Sequence, residues 1–271
     1  IFLSYTSQIR KTWRMSMIKE IKRRYFNIEI LIWIVSGISV VLIMNTFYMN
    51  TLKRYTIGKP CAFDALSCMS QQFVFPLIMI ITALCSQRMM KSDRDSMIIL
   101  KYSSKQELYI KQVASTICYS MAMTIIYMTS LILYARGYYG EMFNWNDADS
   151  IFRVSLKEIT MNNYIRPTKV LIIYFLMMSL WTAITCNIGI LINIISSSDS
   201  VAGLVITALG GIDMFIPIFY HKFLLFETSW YNMSQCENGV LCLVIIFNIV
   251  FIIGYIMQGR KEYYEYKNED E

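Results

Sequence analysis

Six blocks of predominantly apolar residues, separated by polar and charged stretches, organise the chain: roughly 28–48, 69–86, 113–134, 170–195, 201–219 and 240–257. A helix needs about 20 residues to cross a hydrocarbon core about 30 Å thick, so each block has the length of one span. The fully apolar stretch of the second is short. The pattern predicts an all-α integral membrane protein with six transmembrane helices. Residues 1–27 form an N-terminal arm, 28–258 the membrane domain and 259–271 a tail. Only Ser196–Ser200 separates the fourth and fifth blocks, which predicts a tight hairpin there. A long polar loop over about 135–169 follows the third block.

Composition supports the same class. Of 271 residues, 56% are hydrophobic and 16% charged, with a mean hydropathy of +0.44. Soluble domains carry about 45–50% apolar and about 25% charged residues. A single soluble core of this length could not hide that much apolar surface. No cleavable signal is expected, because 27 mostly polar and basic residues precede a first block too long for a signal peptide's apolar region.

The net charge of +6 bears on sidedness rather than on nucleic acid, which is not an expected partner. With six spans, the arm, the loop between the second and third helices, the turn after the fourth and the tail share one side. That side holds sixteen of the 25 Lys and Arg residues against nine on the other. The positive-inside rule then places both termini in the cytoplasm of a multi-pass protein of the cell membrane.

The most informative polar stretch runs from Gln87 to Lys111. Ser92 with Asp95 forms an imperfect capping box and Ser104 with Glu107 a full one, each satisfying the first free N–H groups of a helix. A short helix over about 93–102 is expected, then a break at Ser103–Ser104, then a helix entering the third span. The short helix puts Met97, Ile98, Ile99, Leu100 and Tyr102 in the cytoplasm. Such a cluster needs either the bilayer surface or a protein partner to cover it. In the N-terminal arm, Trp13, Met17, Ile18, Ile21 and Tyr25 lie on one arc. Lys11, Lys19, Lys22 and Arg23 lie opposite, although Arg10, Arg14 and Arg24 intrude on the apolar arc. A basic helix in the headgroup plane suits this pattern, with membrane lipids as its partner.

The basic amphipathic arm and the helix-break-helix loop resemble the permease subunits of ABC-2 type transporters, in topology along the whole chain and in residues over the arm and about 85–115. The resemblance implies a cytoplasmic coupling helix between helices two and three, carried here by Asp93, Asp95, Met97, Ile98, Ile99, Leu100, Tyr102 and Lys105. It also implies two ABC ATPase subunits per complex, which bind the ATP and Mg, and a second permease subunit, identical or homologous. Efflux of a peptide, drug or lipid by alternating access would follow, with antimicrobial-peptide export or immunity as one variant.

The chain itself has no catalytic apparatus and no cofactor is expected in it. No G-x-x-x-x-G-K-[ST] occurs, and Gly58-Lys59-Pro60 lacks the upstream glycine and the Ser/Thr. His221 is the only histidine and none of the seven cysteines forms CxxC, which excludes a Cys/His zinc motif. If Pro60 opens a helix, Cys61 and Cys68 stand about 10.5 Å apart along its axis, too far for a disulfide. A bridge from one of them to Cys236 stays open. Asp213, Asn187 and Trp181 are candidate pathway residues within the spans. Each has a structural alternative: Asn187 as a bond between helices, Trp181 as packing, and Asp213 as the cap of an outer helix piece after a break at Gly210–Gly211, with Pro217 nearby. The competing function is a membrane scaffold or sensor recruiting a cytoplasmic partner through the same apolar loop.

Overall fold

A computed structural model describes residues 28–55, 57–66, 73–91, 104–154, 164–216 and 233–267. Among these, six helices carry the architecture: α1 (Ile28–Tyr55), α2 (Val74–Met90), α3 (Lys105–Tyr139), α4 (Pro167–Ser196), α5 (Asp199–Phe215) and α6 (Met233–Lys267). Four contain stretches long and apolar enough to cross a membrane: Ile28–Thr51, Lys105–Tyr139, Pro167–Ser196 and Asn238–Arg260. The apolar α2 and the equally short α5 have 17 residues each, a rise of about 25 Å.

The helices pack around α4, which contacts α2, α3, α5 and α6. Burial follows from that position. Of the most apolar window in each helix, 67% is buried in α4 but only 22% in α1 and 11% in α6. The outer helices turn Leu31, Ile32, Val35, Ile249, Ile252 and Ile256 away from the bundle. In water such surfaces would be untenable; in a bilayer they need no cover, since lipid tails are as apolar as they are.

Local chemistry explains the helix ends. Ser104 has extended backbone angles and its Oγ accepts from Glu107 N at 3.1 Å, so α3 starts at the expected cap and runs unbroken for 35 residues. Pro167 opens α4, where its missing N–H removes one unsatisfied donor. The hairpin at Ser196–Ser200 is present. Ser197 takes the left-handed conformation with φ 53°, and Ser198 Oγ caps α5 by accepting from Val201 N at 3.4 Å. Asn193 Nδ2 donates to Asp199 Oδ1 at 2.6 Å and staples the two arms together.

The expected break in the fifth helix does not occur. α5 continues through Gly210 and Gly211 to Phe215, so Asp213 caps no separate piece. Gly210 is there for closeness: a Cβ at that position would come within 2.6 Å of Ile80 on α2. Packing against α2 thus keeps the segment helical where the isolated sequence suggests interruption. The helix ends where Ile216 becomes extended at φ −127°, ψ 98°, as the residue before Pro217 is pushed to do.

Candidate functional site

Of the coupling residues expected from the sequence, Asp93, Asp95, Met97, Ile98, Ile99, Leu100 and Tyr102 lie outside the described residues, as does the N-terminal arm. Lys105 is described and is the first residue of α3. The start of α3 is held against the far half of α6. The Tyr109 hydroxyl donates to Phe251 O at 3.3 Å, its ring stacks on Phe251 at 5.7 Å, and its phenol end lies where a side chain on Gly254 would be. One turn earlier, Gln106 covers Gly259 in the same manner. Two glycines on α6 therefore admit two side chains from α3. The first turns of α3 are thus in direct contact with α6.

The three candidate pathway residues are all buried in the bundle. Trp181 packs edge-on to Phe75 of α2, with ring centroids 6.3 Å apart. Asn187 turns to α3, where its Oδ1 lies 3.3 Å from Thr116 Oγ1. Asp213, 1% exposed, continues the buried stripe of α5 formed by Ala202, Ile206 and Gly210. The partners given for Trp181 and Asn187 lie on different helices, α2 and α3. Hydroxyl groups recur along the inner faces of three helices: Thr82 and Ser86 on α2, Thr116, Tyr119, Ser120, Thr124 and Tyr127 on α3, and Thr182 and Thr185 on α4 are all buried. Most of the hydroxyls bond to a carbonyl of their own helix, as Thr82 does to Ile78 O at 2.7 Å and Thr185 to Trp181 O at 2.9 Å. Along α2, α3 and α4 the buried polar groups are thus uncharged, and Asp213 on α5 is the acidic residue buried beside them in the bundle.

At the end of the bundle opposite Ser104, residues 57–66 and 140–154 fold into a cap that sequence reasoning missed. Gly140 takes φ 79° and turns the chain at the end of α3. Lys59 and Ser150 then form an isolated parallel bridge, and Asn144 Nδ2 donates to Lys59 O at 2.9 Å. Inside, Trp145 stacks flat on Phe152 at 4.3 Å and meets Phe63 edge-on at 6.0 Å. Asp64, in the 3-10 turn Ala62–Ala65, accepts from Cys61 N and from Trp145 Nε1, each at 2.7 Å. Burial pushes the Asp64 carboxyl above its ordinary value, and the two N–H donors oppose this. The Cys61 thiol is pushed up to about 12, first by burial and then by the neighbouring Asp64. Cys61 is a free thiol, so it forms no disulfide; Cys68 and the side chain of Cys236 fall outside the described residues. The aromatic residues near positions 143–152 were the available signal, but nothing local pairs them with Asp64.

Among the described residues, no group of three or more His, Cys, Asp or Glu side chains could hold a metal ion. No protein-family model, curated protein or solved structure matches the chain. What fold and interior define is a class: a helical bundle with at least four membrane-crossing-length helices, lipid-like surfaces on its outer helices and a buried polar interior that is uncharged along α2, α3 and α4.

Proposed function

We propose that this chain is the membrane-spanning permease subunit of an ATP-driven transporter of the ABC-2 type, with α1–α6 as its six spans and both termini cytoplasmic. A separate ATPase subunit supplies the energy, since the sequence has no phosphate-binding loop. Two permease chains and two ATPases form the working unit, and the cargo is an amphipathic peptide, drug or lipid. The single observation that carries the proposal is the position of Met97–Tyr102. Five large apolar side chains stand in a polar, basic loop immediately ahead of the capped start of α3. Nucleotide-driven closure of the ATPases would press on this segment. The continuous α3 would carry the movement into the membrane, and the Tyr109 contact would carry it to α6.

The test is co-purification with a candidate ATP-hydrolysing subunit, sought first among the neighbouring reading frames. Replacing Ile99 and Leu100 by Asp should release the ATPase while the six helices stay folded. Retention of the ATPase by the double variant would overturn the coupling role. Binding that never changes the hydrolysis rate would point instead to a scaffold.

A further inference from the structure

Three buried polar groups on adjoining helices, α2, α3 and α4, lack a partner strong enough to satisfy them. Asn187 on α4 and Ser86 on α2 are fully buried, and Tyr119 on α3 nearly so. The Ser86 and Tyr119 hydroxyls have no nitrogen or oxygen partner. Ser86 lies beside the Cys186 thiol and Tyr119 beside the Cys85 thiol, and thiols are weak partners. Asn187 Nδ2 is likewise unpartnered.

Turning the amide over does not cure this. Thr116 has one hydroxyl hydrogen, which serves Val113 O at 2.7 Å, while its oxygen stands 3.3 Å from the Asn187 amide. One end of the amide can face Thr116; whichever end does so, the other is left over. Each unsatisfied buried group costs about 1–3 kcal/mol, and lipid tails have nothing to offer in exchange. A dry junction would therefore carry a penalty at three places within one contact between helices.

Charge narrows the occupant. Residues 74–87, 113–135 and 170–196 contain no Asp, Glu, Lys, Arg or His. An ion there would have no counter-charge from these helices to offset its loss of hydration. Water fits, since buried waters characteristically make about three hydrogen bonds to otherwise unsatisfied groups; Ser86 and Tyr119 both neighbour the Cys85 and Cys186 thiols, and Asn187 follows Cys186 in the chain.

We propose that the junction of α2, α3 and α4 around Asn187, Ser86 and Tyr119 is a small uncharged hydrogen-bonding site occupied by water. It does not depend on the transporter proposal, because it concerns this chain alone in a bilayer. The test is hydroxyl-radical footprinting by radiolysis of the full chain in lipid nanodiscs, with oxidation read by peptide mass spectrometry. Radicals born from bound water strike adjacent side chains, so Tyr119, Cys85 and Cys186 should be oxidised well above Met178, which is equally buried on α4. Asn187→Leu, close in size but unable to hold water, should bring their oxidation down to that of Met178. Ser86→Ala should lower it in the same direction if the leucine variant does not fold. Oxidation of Tyr119, Cys85 and Cys186 no greater than that of Met178 in the unmodified protein would overturn the proposal. So would oxidation unchanged by whichever variant folds.

Discussion

Trp145 Nε1 donates to Asp64 Oδ1 at 2.7 Å, joining residues 81 positions apart. That bond ties the connection between α1 and α2 to the connection between α3 and α4. Both donors to Asp64, Trp145 and the Cys61 backbone, are buried with it. The cap therefore closes one end of the bundle with an aromatic stack and a carboxylate held by N–H groups. Lys59 and Asp149 pair at 2.6 Å on its surface, where an exposed ion pair adds little.

Cys61 reports whether this cap is closed. Its thiol is buried and shifted to about 12, so the thiolate that attacks a maleimide is scarce at neutral pH. In the folded protein Cys61 should resist a membrane-impermeant maleimide. Trp145→Ala should expose it and make it react, with peptide mass spectrometry separating it from Cys68 and Cys236. Equal reaction in both proteins would show that the Asp64–Trp145 contact does not hold the cap shut.

Acidification should tighten the cap. Burial raises the Asp64 carboxyl when the cap is closed, so the closed form binds a proton more strongly than the open one. The stability this group contributes is present below its ordinary value of about 3.9 and is lost as pH rises through the raised value. Asp149 has the opposite sign: Lys59 lowers its carboxyl, so its contribution is lost only below the ordinary range. Proteolysis of the cap should therefore slow as pH falls from 7 towards the raised value, measured with a protease whose rate is corrected on an unfolded substrate. Asp64→Asn should remove that pH dependence.

Two adjacent glycines in α5 should respond in opposite ways. A Cβ at Gly210 would run into Ile80, whereas at Gly211 nothing lies within 4 Å. Gly210→Ala should destabilise the bundle by about 1–3 kcal/mol, the usual cost of overpacking. Gly211→Ala should stabilise it by about 0.5–1 kcal/mol through helix propensity. Thermal unfolding in detergent reads both signs.

The contact between Tyr109 and Gly254 should be coupled energetically. Gly254→Ala places a methyl group in the Tyr109 phenol and should lower the melting temperature on its own. Tyr109→Ala should lower it as well, by losing the ring stack and the bond to Phe251 O. Since the alanine at 109 vacates the space the methyl needs, the double variant should be more stable than the two separate losses imply. Additive losses would mean that the two residues do not share the joint.

Where the chain's own neighbours decide the structure, the sequence made it legible. Long apolar blocks became α1, α3, α4 and α6. Ser104 followed by Glu107 marked the start of α3, and the serines after α4 marked the hairpin. Outside the apolar block 113–134 the helix continues into flanks where hydropathy has already fallen, from Lys105 to Tyr139. Gly210 was misjudged because a glycine that breaks an isolated helix can also admit a neighbouring helix, and only packing distinguishes the two. The Asp64–Trp145 pair was invisible, as no periodicity links residues in separate loops. Asn187 is legible as a polar residue in an apolar block, but the orphaned hydroxyls of Ser86 and Tyr119 on two other helices emerge only from the packing.

Sidedness tests the account most directly. Single cysteines introduced as Ser103→Cys, beside the proposed coupling segment, and Ala148→Cys, exposed in the cap, can be probed with an impermeant maleimide on intact cells. The expected result is labelling of position 148 at once and of position 103 only after the membrane is permeabilised. Labelling of position 103 in intact cells would put the apolar segment outside, beyond the reach of any ATPase, and would contradict the proposed function.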